Sequence, residues 1–161
     1  MFWEIRGIPA HPLLLHAAVV FIPLLALGSI TYTALPFLRS KIRWAVGLLA
    51  IVAPLSALVT KLSGDALRQQ LVDNGGAGGD FLVKIDNHRA FGNITLWVTI
   101  ALGVVVLVLL VFTTRVFTGT ERLRAHYVVL TILGIATVGL ALASLYYVFQ
   151  AGDAGAHLKW G

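Results

Sequence analysis

The chain contains no cysteine, and only 12% of its 161 residues are charged. Without cysteine it carries no disulfide, no thiolate metal site and no iron–sulfur cluster of its own. A soluble domain carries about twice that share of charge, roughly 25%. Acid is the scarcer sign, with seven Asp and Glu against twelve Lys and Arg. The excess of base does not describe a nucleic-acid binder, because the cations are scattered and not gathered into a stripe with aromatics. Ser-His-Asp, P-loop and nucleophile-elbow patterns are also missing, which removes the commonest hydrolase and nucleotide-binding readings.

What fills the chain is apolar. Hydrophobic residues make up 58% of it and fall into four runs, at about 12–36, 42–63, 91–114 and 125–149. Each is long enough to cross a bilayer, which takes about 20 residues of helix. None contains Asp or Glu. The runs are continuous and not alternating, so they read as helices and not as barrel strands. The expected fold is an all-α integral membrane protein, a single four-transmembrane-helix bundle.

Loop charge sets the expected orientation. The first loop carries Arg39, Lys41 and Arg43, and the third carries Arg115, Arg122 and Arg124 against Glu121 alone. In the middle loop Lys61, Arg68, Lys84 and Arg89 are balanced by Asp65, Asp73, Asp80 and Asp86. Loops one and three are therefore expected in the cytoplasm, with both termini and the middle loop outside. The start, MFWEIRG, lacks a basic n-region and a clean cleavage site, so the first run reads as a retained span. Trp3, Trp97 and Trp160 are expected near the outer interface and Trp44 near the inner one. The middle loop, about 64–90, holds NGGAGGD at 74–80, which reads as a flexible linker. Its stretch 64–72 can continue helix two.

Pro23 and Pro54 lie inside spans and can kink them. Ala53/Ala57 and Gly139/Ala143 are small pairs at i, i+4, expected to let spans two and four pack closely. The chain also reads as two similar helical hairpins. The first opens with His11 and His16 and returns to Ser63-Gly64-Asp65. The second opens with His88 and returns to Ala151-Gly152-Asp153. In this register glycine would cap each helix, and an aspartate there opposes the helix dipole and calls for a partner.

The segment HPLLLHAAVVFIPLLALG, with His11, Pro12, His16 and Pro23, resembles the opening of a bacterial membrane family, domain of unknown function 2231. Gly64-Asp65, the His88/Gly92 spacing and the tail GDAGAHLKWG fit the same resemblance, which covers nearly the whole chain. It implies a bacterial inner-membrane protein and no stated activity. Some relatives are joined to Rieske-type iron–sulfur domains, which implies a redox setting and a redox-protein partner. Self-association is left open.

Four histidines, His11, His16, His88 and His157, fall on the expected outer side, while His126 lies on the other. Ionisable groups at membrane depth usually carry a function. His11 and His16 are i, i+5, about 140° apart on a helix, so both face one partner only if His11 sits in the cap beside Pro12. His88 follows Asp86 and Asn87, both good caps. His16 and His88 are expected to meet, with Asp65 or Asp153 in reach. Three readings stay open. One is a b-type haem on two of these histidines, with Gly92 clearing room and Arg89 or Arg68 pairing with propionates. Another is a divalent metal on His11, His16 and His88 with Asp65 or Asp153. The third is a structural seal in a scaffold or assembly subunit. The resemblance places His157 nowhere in a site.

The absence of cysteine makes orientation directly testable. Cysteines introduced at Ser40 and Gly76 should label oppositely with an impermeant reagent, Gly76 from outside and Ser40 only after lysis. Labelling of Ser40 alone inverts the topology.

Overall fold

The structure is a computed structural model, and it describes residues 4–5, 8–75, 78–114 and 120–160. A two-residue antiparallel ladder, β1 (Glu4–Ile5) on β2 (Ile8–Pro9), precedes the first helix. The helices are α1 (Ala10–Ala34), α2 (Arg39–Asp73), α3 (Gly79–Thr114) and α4 (Thr120–Trp160). All four are long and apolar enough to span a membrane. Sequential helices run antiparallel. α1 packs on α2 and α4, and α3 packs on α2 and α4, so α1 and α3 are diagonal across the bundle.

Helix is the outcome that lipid enforces, since it satisfies every backbone group within one segment. The buried positions show how the helices then pack. On α2 they are Val46, Ala50, Ala53, Ala57 and Thr60, and on α4 Thr137, Ala141, Ser144 and Ala151. On α1 Ala18, Ile22, Leu25, Ser29 and Tyr32 are buried, and on α3 Thr95, Thr99, Leu102, Val106 and Leu109. The spacing alternates between three and four residues. That is the seam of a left-handed bundle, and its small residues let backbones approach closely.

Ala53 and Ala57 are buried as expected. Gly139 is not in the seam: it is exposed, and a Cβ there would meet nothing within 4 Å. A close glycine in the apolar part of α4 is Gly134, whose Cβ would lie 3.2 Å from Thr33. Gly139 is out of phase because it falls between the seam positions Thr137 and Ala141.

Helices α2, α3 and α4 run well beyond the apolar runs that announce them. α4 has 41 residues and α2 has 35. At 1.5 Å per residue these are about 60 and 50 Å long, against a hydrocarbon core of about 30 Å. The long middle loop is therefore mostly helix. α2 ends at Asp73, Asn74 is its C-cap, and Gly75 takes φ +62°, the left-handed turn that glycine adopts without strain. Gly76 lies outside the described residues. Asp86 and Asn87 are not caps: α3 begins at Gly79, with Asp80 in its first turn where the dipole favours an anion.

Between α1 and α2 the chain turns through a 3-10 segment, Pro36–Leu38. Arg39 donates to Tyr32 O and Thr33 O at 2.9 and 3.1 Å and lies over the Tyr32 ring. It thereby caps carbonyls that α1 leaves without helical donors. The Tyr32 hydroxyl pairs with Thr113 Oγ1 at 2.7 Å, tying the diagonal helices together at this end.

Pro23 and Pro54 both sit inside helices. Pro54 has no N–H, so the Ala50 carbonyl four residues earlier loses its helical donor. Gly103 of α3 packs directly on that carbonyl: a Cβ at Gly103 would lie 2.5 Å from Ala50 O and 3.1 Å from Pro54 Cγ. Gly103→Ala should therefore destabilise the bundle by about 1–3 kcal/mol, as overpacking does. A lowered thermal midpoint in detergent is the expected result, and an unchanged one contradicts this packing.

Candidate functional site

The histidines that meet are His11 and His88. Their ring centroids are 6.1 Å apart and their planes are inclined by 77°. They come from the diagonal helices α1 and α3 and close one end of the bundle.

Each ring is held by the helix that follows its own. His11 Nδ1 lies 3.0 Å from Thr60 O and 3.1 Å from Ser63 Oγ. A carbonyl cannot donate, so Nδ1 carries the hydrogen. Ser63 Oγ donates to Thr60 O at 2.8 Å and can accept from His11. Thr60 Oγ1 in turn donates to Leu14 O at 3.0 Å, so the α1–α2 contact is reciprocal. His88 Nδ1 donates to Ala151 O at 2.9 Å. In both neutral imidazoles Nε2 is left with its lone pair. A Nδ1–H bonded to a backbone carbonyl fixes the tautomer and the ring orientation.

A glycine lies under each ring. A Cβ at Gly64 would stand 2.9 Å from His11 Cε1, and one at Gly155 would stand 3.1 Å from His88 Cε1. Each glycine is four residues after the carbonyl that its histidine bonds. Thr60/Gly64 and Ala151/Gly155 are thus equivalent pairs in the two hairpins. This corrects the register read from the two Gly-Asp steps. A Cβ at Gly152 would meet nothing within 4 Å, and the partner of Gly64 is Gly155. Both Gly-Asp steps lie inside helices and end neither of them. Gly64 and Gly155 serve close approach, not capping.

His16 stands apart from the pair. It is exposed on α1 and its Nδ1 donates to Pro12 O at 2.6 Å. His157 is exposed on α4, bonded to Asp153 O at 2.9 Å, with Asp153 Oδ2 at 3.6 Å. Asp153 serves that contact on the outer face of α4 and does not enter the seam. His126 lies at the other end, where its ring stacks with Phe112.

Asp65 joins a charge network beside the pair. Its two oxygens take Lys61 at 2.7 Å and Arg89 at 2.6 Å. Arg68 holds Asp86 with both nitrogens, at 2.7 and 2.9 Å. The network ties the extended ends of α2 and α3 together, with three cations to two carboxylates. Its members are half-exposed, so it contributes little to stability and mainly sets local charge. Gly92 is one turn beyond His88 in the seam phase, and a Cβ there would meet nothing within 4 Å.

The four-ligand arrangement of His11, His16 and His88 with Asp65 or Asp153 is not assembled. Among the described residues no group of three His, Cys, Asp or Glu could hold a metal ion. The reason is helical phase: His16 is off the seam, and both aspartates are occupied elsewhere. Gly155 is the site residue that the sequence reading passed over. Its signal was the seam spacing, since Ser144, Ala151 and Gly155 continue one face.

The fold defines a polytopic α-helical membrane protein with a polar cluster at one end. Over residues 7–161 the chain matches the family described as predicted membrane protein (DUF2231), and it belongs to that family. No curated protein and no solved structure matches it.

The paired glycines yield a direct test. Gly64→Ala and Gly155→Ala should each displace one imidazole and shift the Cε1–H resonances of both His11 and His88, because the rings touch. Gly152→Ala is the control and should leave them in place. Unmoved resonances in the first two variants would contradict the packing.

Proposed function

We propose that the protein is a membrane electron-transfer component holding a b-type haem iron between His11 and His88. The carrying observation is the pair itself: two imidazoles from diagonal helices, each with Nδ1–H bound to a carbonyl and Nε2 left with its lone pair. The 6.1 Å separation of their centroids leaves the two rings near enough to share one ion. The open space at Gly92 suits the edge of a macrocycle. The surplus cation among Lys61, Arg68 and Arg89 suits an anionic propionate, although Arg89 and Arg68 would have to share it with Asp65 and Asp86. A haem needs two protein ligands, which fits this pair better than a free metal ion that needs three or four.

In this reading the histidine end faces outward and the end carrying Arg39, Lys41 and Arg43 faces the cytoplasm of a bacterial cell, with the loop-charge asymmetry as support. A second reading rests on a separate observation. The same hydrogen bonds and glycine contacts clasp α1 to α2 and α3 to α4, which is sufficient for a purely structural role in an assembly subunit.

Purified protein supplied with haem should show a Soret band that shifts on reduction. His11→Ala and His88→Ala should each abolish it, while His16→Ala and His126→Ala should retain it. If folded protein takes up no haem, the structural reading stands. If His16→Ala removes the band and His11→Ala does not, the assignment of ligands is wrong.

A further inference from the structure

At the basic end of the bundle, remote from the histidines, α2 and α3 leave an open groove of about 580 Å³. Ser40, Arg43, Trp44 and Gly47 line it from α2, and Leu107, Leu110, Val111 and Thr114 from α3. Its chemistry is graded along the helix axes. Ser40, Arg43 and Thr114 lie at the helix ends, while Gly47 and Leu107 lie about 10 Å deeper, at 1.5 Å per residue. Gly47 keeps the floor low: a Cβ there would already stand 3.4 Å from Leu110.

We infer that this groove binds one anionic phospholipid, with the phosphate at Arg43 and Ser40 and an acyl chain over Gly47, Leu107 and Val111. Two features select this occupant. The first is charge. Arg39, the neighbouring cation, is committed to Tyr32 O and Thr33 O and stacks on the Tyr32 ring. Arg43 has no hydrogen-bond or ion-pair partner among the described residues. An arginine at a membrane interface that faces a groove and lacks a carboxylate is matched by a phosphate, which its planar fork binds through two nitrogens. The second is the gradient. A soluble anion would use only the rim, whereas an amphiphile fills both halves. Trp44 is 72% exposed on the rim, at the level where indole rings sit among headgroups. Basic pockets between transmembrane helices bind lipid headgroups in this manner.

The test uses the full chain in detergent, supplied with phosphatidylglycerol and examined by native mass spectrometry. One retained phosphatidylglycerol per chain is expected, with weaker retention of phosphatidylcholine. Arg43→Gln should reduce the retained fraction roughly fivefold, the factor one interfacial cation supplies. Leu107→Trp, which fills the apolar half without touching the charge, should also reduce it. Lys41→Gln removes a cation that does not line the groove and should leave it unchanged. Equal losses at Lys41 and Arg43 would reduce the effect to general charge attraction and overturn the site. Unaltered retention in Leu107→Trp, or displacement of the lipid by inorganic phosphate, would show an anion site with no acyl groove and overturn it as well.

Discussion

Close approach of helix backbones is the constraint on which the rest of this bundle depends. Lipid gives apolar side chains no reason to leave it for one another, so the helices associate through packing contact and interhelical hydrogen bonds. The seam of α2 and α4 is accordingly built of Ala, Ser, Thr and Gly. Backbone carbonyls such as Thr60 O, Ala151 O and Ala50 O are reached from a neighbouring helix because nothing larger stands in the way. At Ala50 the opening comes from Pro54, which withdraws a donor, and Gly103 brings its Cα against the exposed oxygen. A Cα–H contact to a carbonyl contributes about 0.5–1 kcal/mol. The gain at Thr60 and Ala151 is larger in consequence, because a polar ring at the end of a membrane helix is given a fixed partner.

The same constraint explains how the two ends of the bundle are closed. α1 and α3 are diagonal and touch little along their length. They meet through His11 and His88 at one end and through Tyr32 and Thr113 at the other. Both meetings use side chains long enough to reach across the bundle axis. Between them the interior carries hydroxyls, of which Thr99, Thr137 and Ser144 are fully buried and have no hydrogen-bond partner among the described residues. Most other Ser and Thr side chains in the helices bond back to a carbonyl of the preceding turn, as at Thr95 and Ser29.

The spans and the class were legible in the sequence because continuous apolar length is a strong signal. Helix ends were less so. Composition marks where hydrocarbon stops, and the helices stop elsewhere: α2 and α3 continue beyond their apolar runs, where Arg68–Asp86 and Arg89–Asp65 pair residues distant in sequence. The histidine end was legible and the histidine pairing was not. Proximity in sequence made His16 as good a candidate as His11. Phase separates them, since His11 is seven residues from Ala18 and fourteen from Leu25, both buried, whereas His16 is in phase with neither. His88 stands in the same relation to Thr95 and Leu102. The Gly-Asp repeat misled for a related reason: two like dipeptides were aligned by identity, while the structure aligns Gly64 with Gly155 by the carbonyl four residues before each.

That alignment also bears on what the site can be. If the histidines served only to seal the helix ends, a single hydrogen bond to any nearby group would suffice, and the two hairpins would be free to differ. Instead both rings use the same nitrogen, bond a carbonyl of the same kind of partner helix, and rest on a glycine at the same offset. The consequence is that Nδ1 carries the hydrogen and Nε2 the lone pair in both rings, whose centroids lie 6.1 Å apart. The proposed haem draws on this equivalence: each ring is fixed in tautomer and orientation by its own hairpin before any ligand arrives.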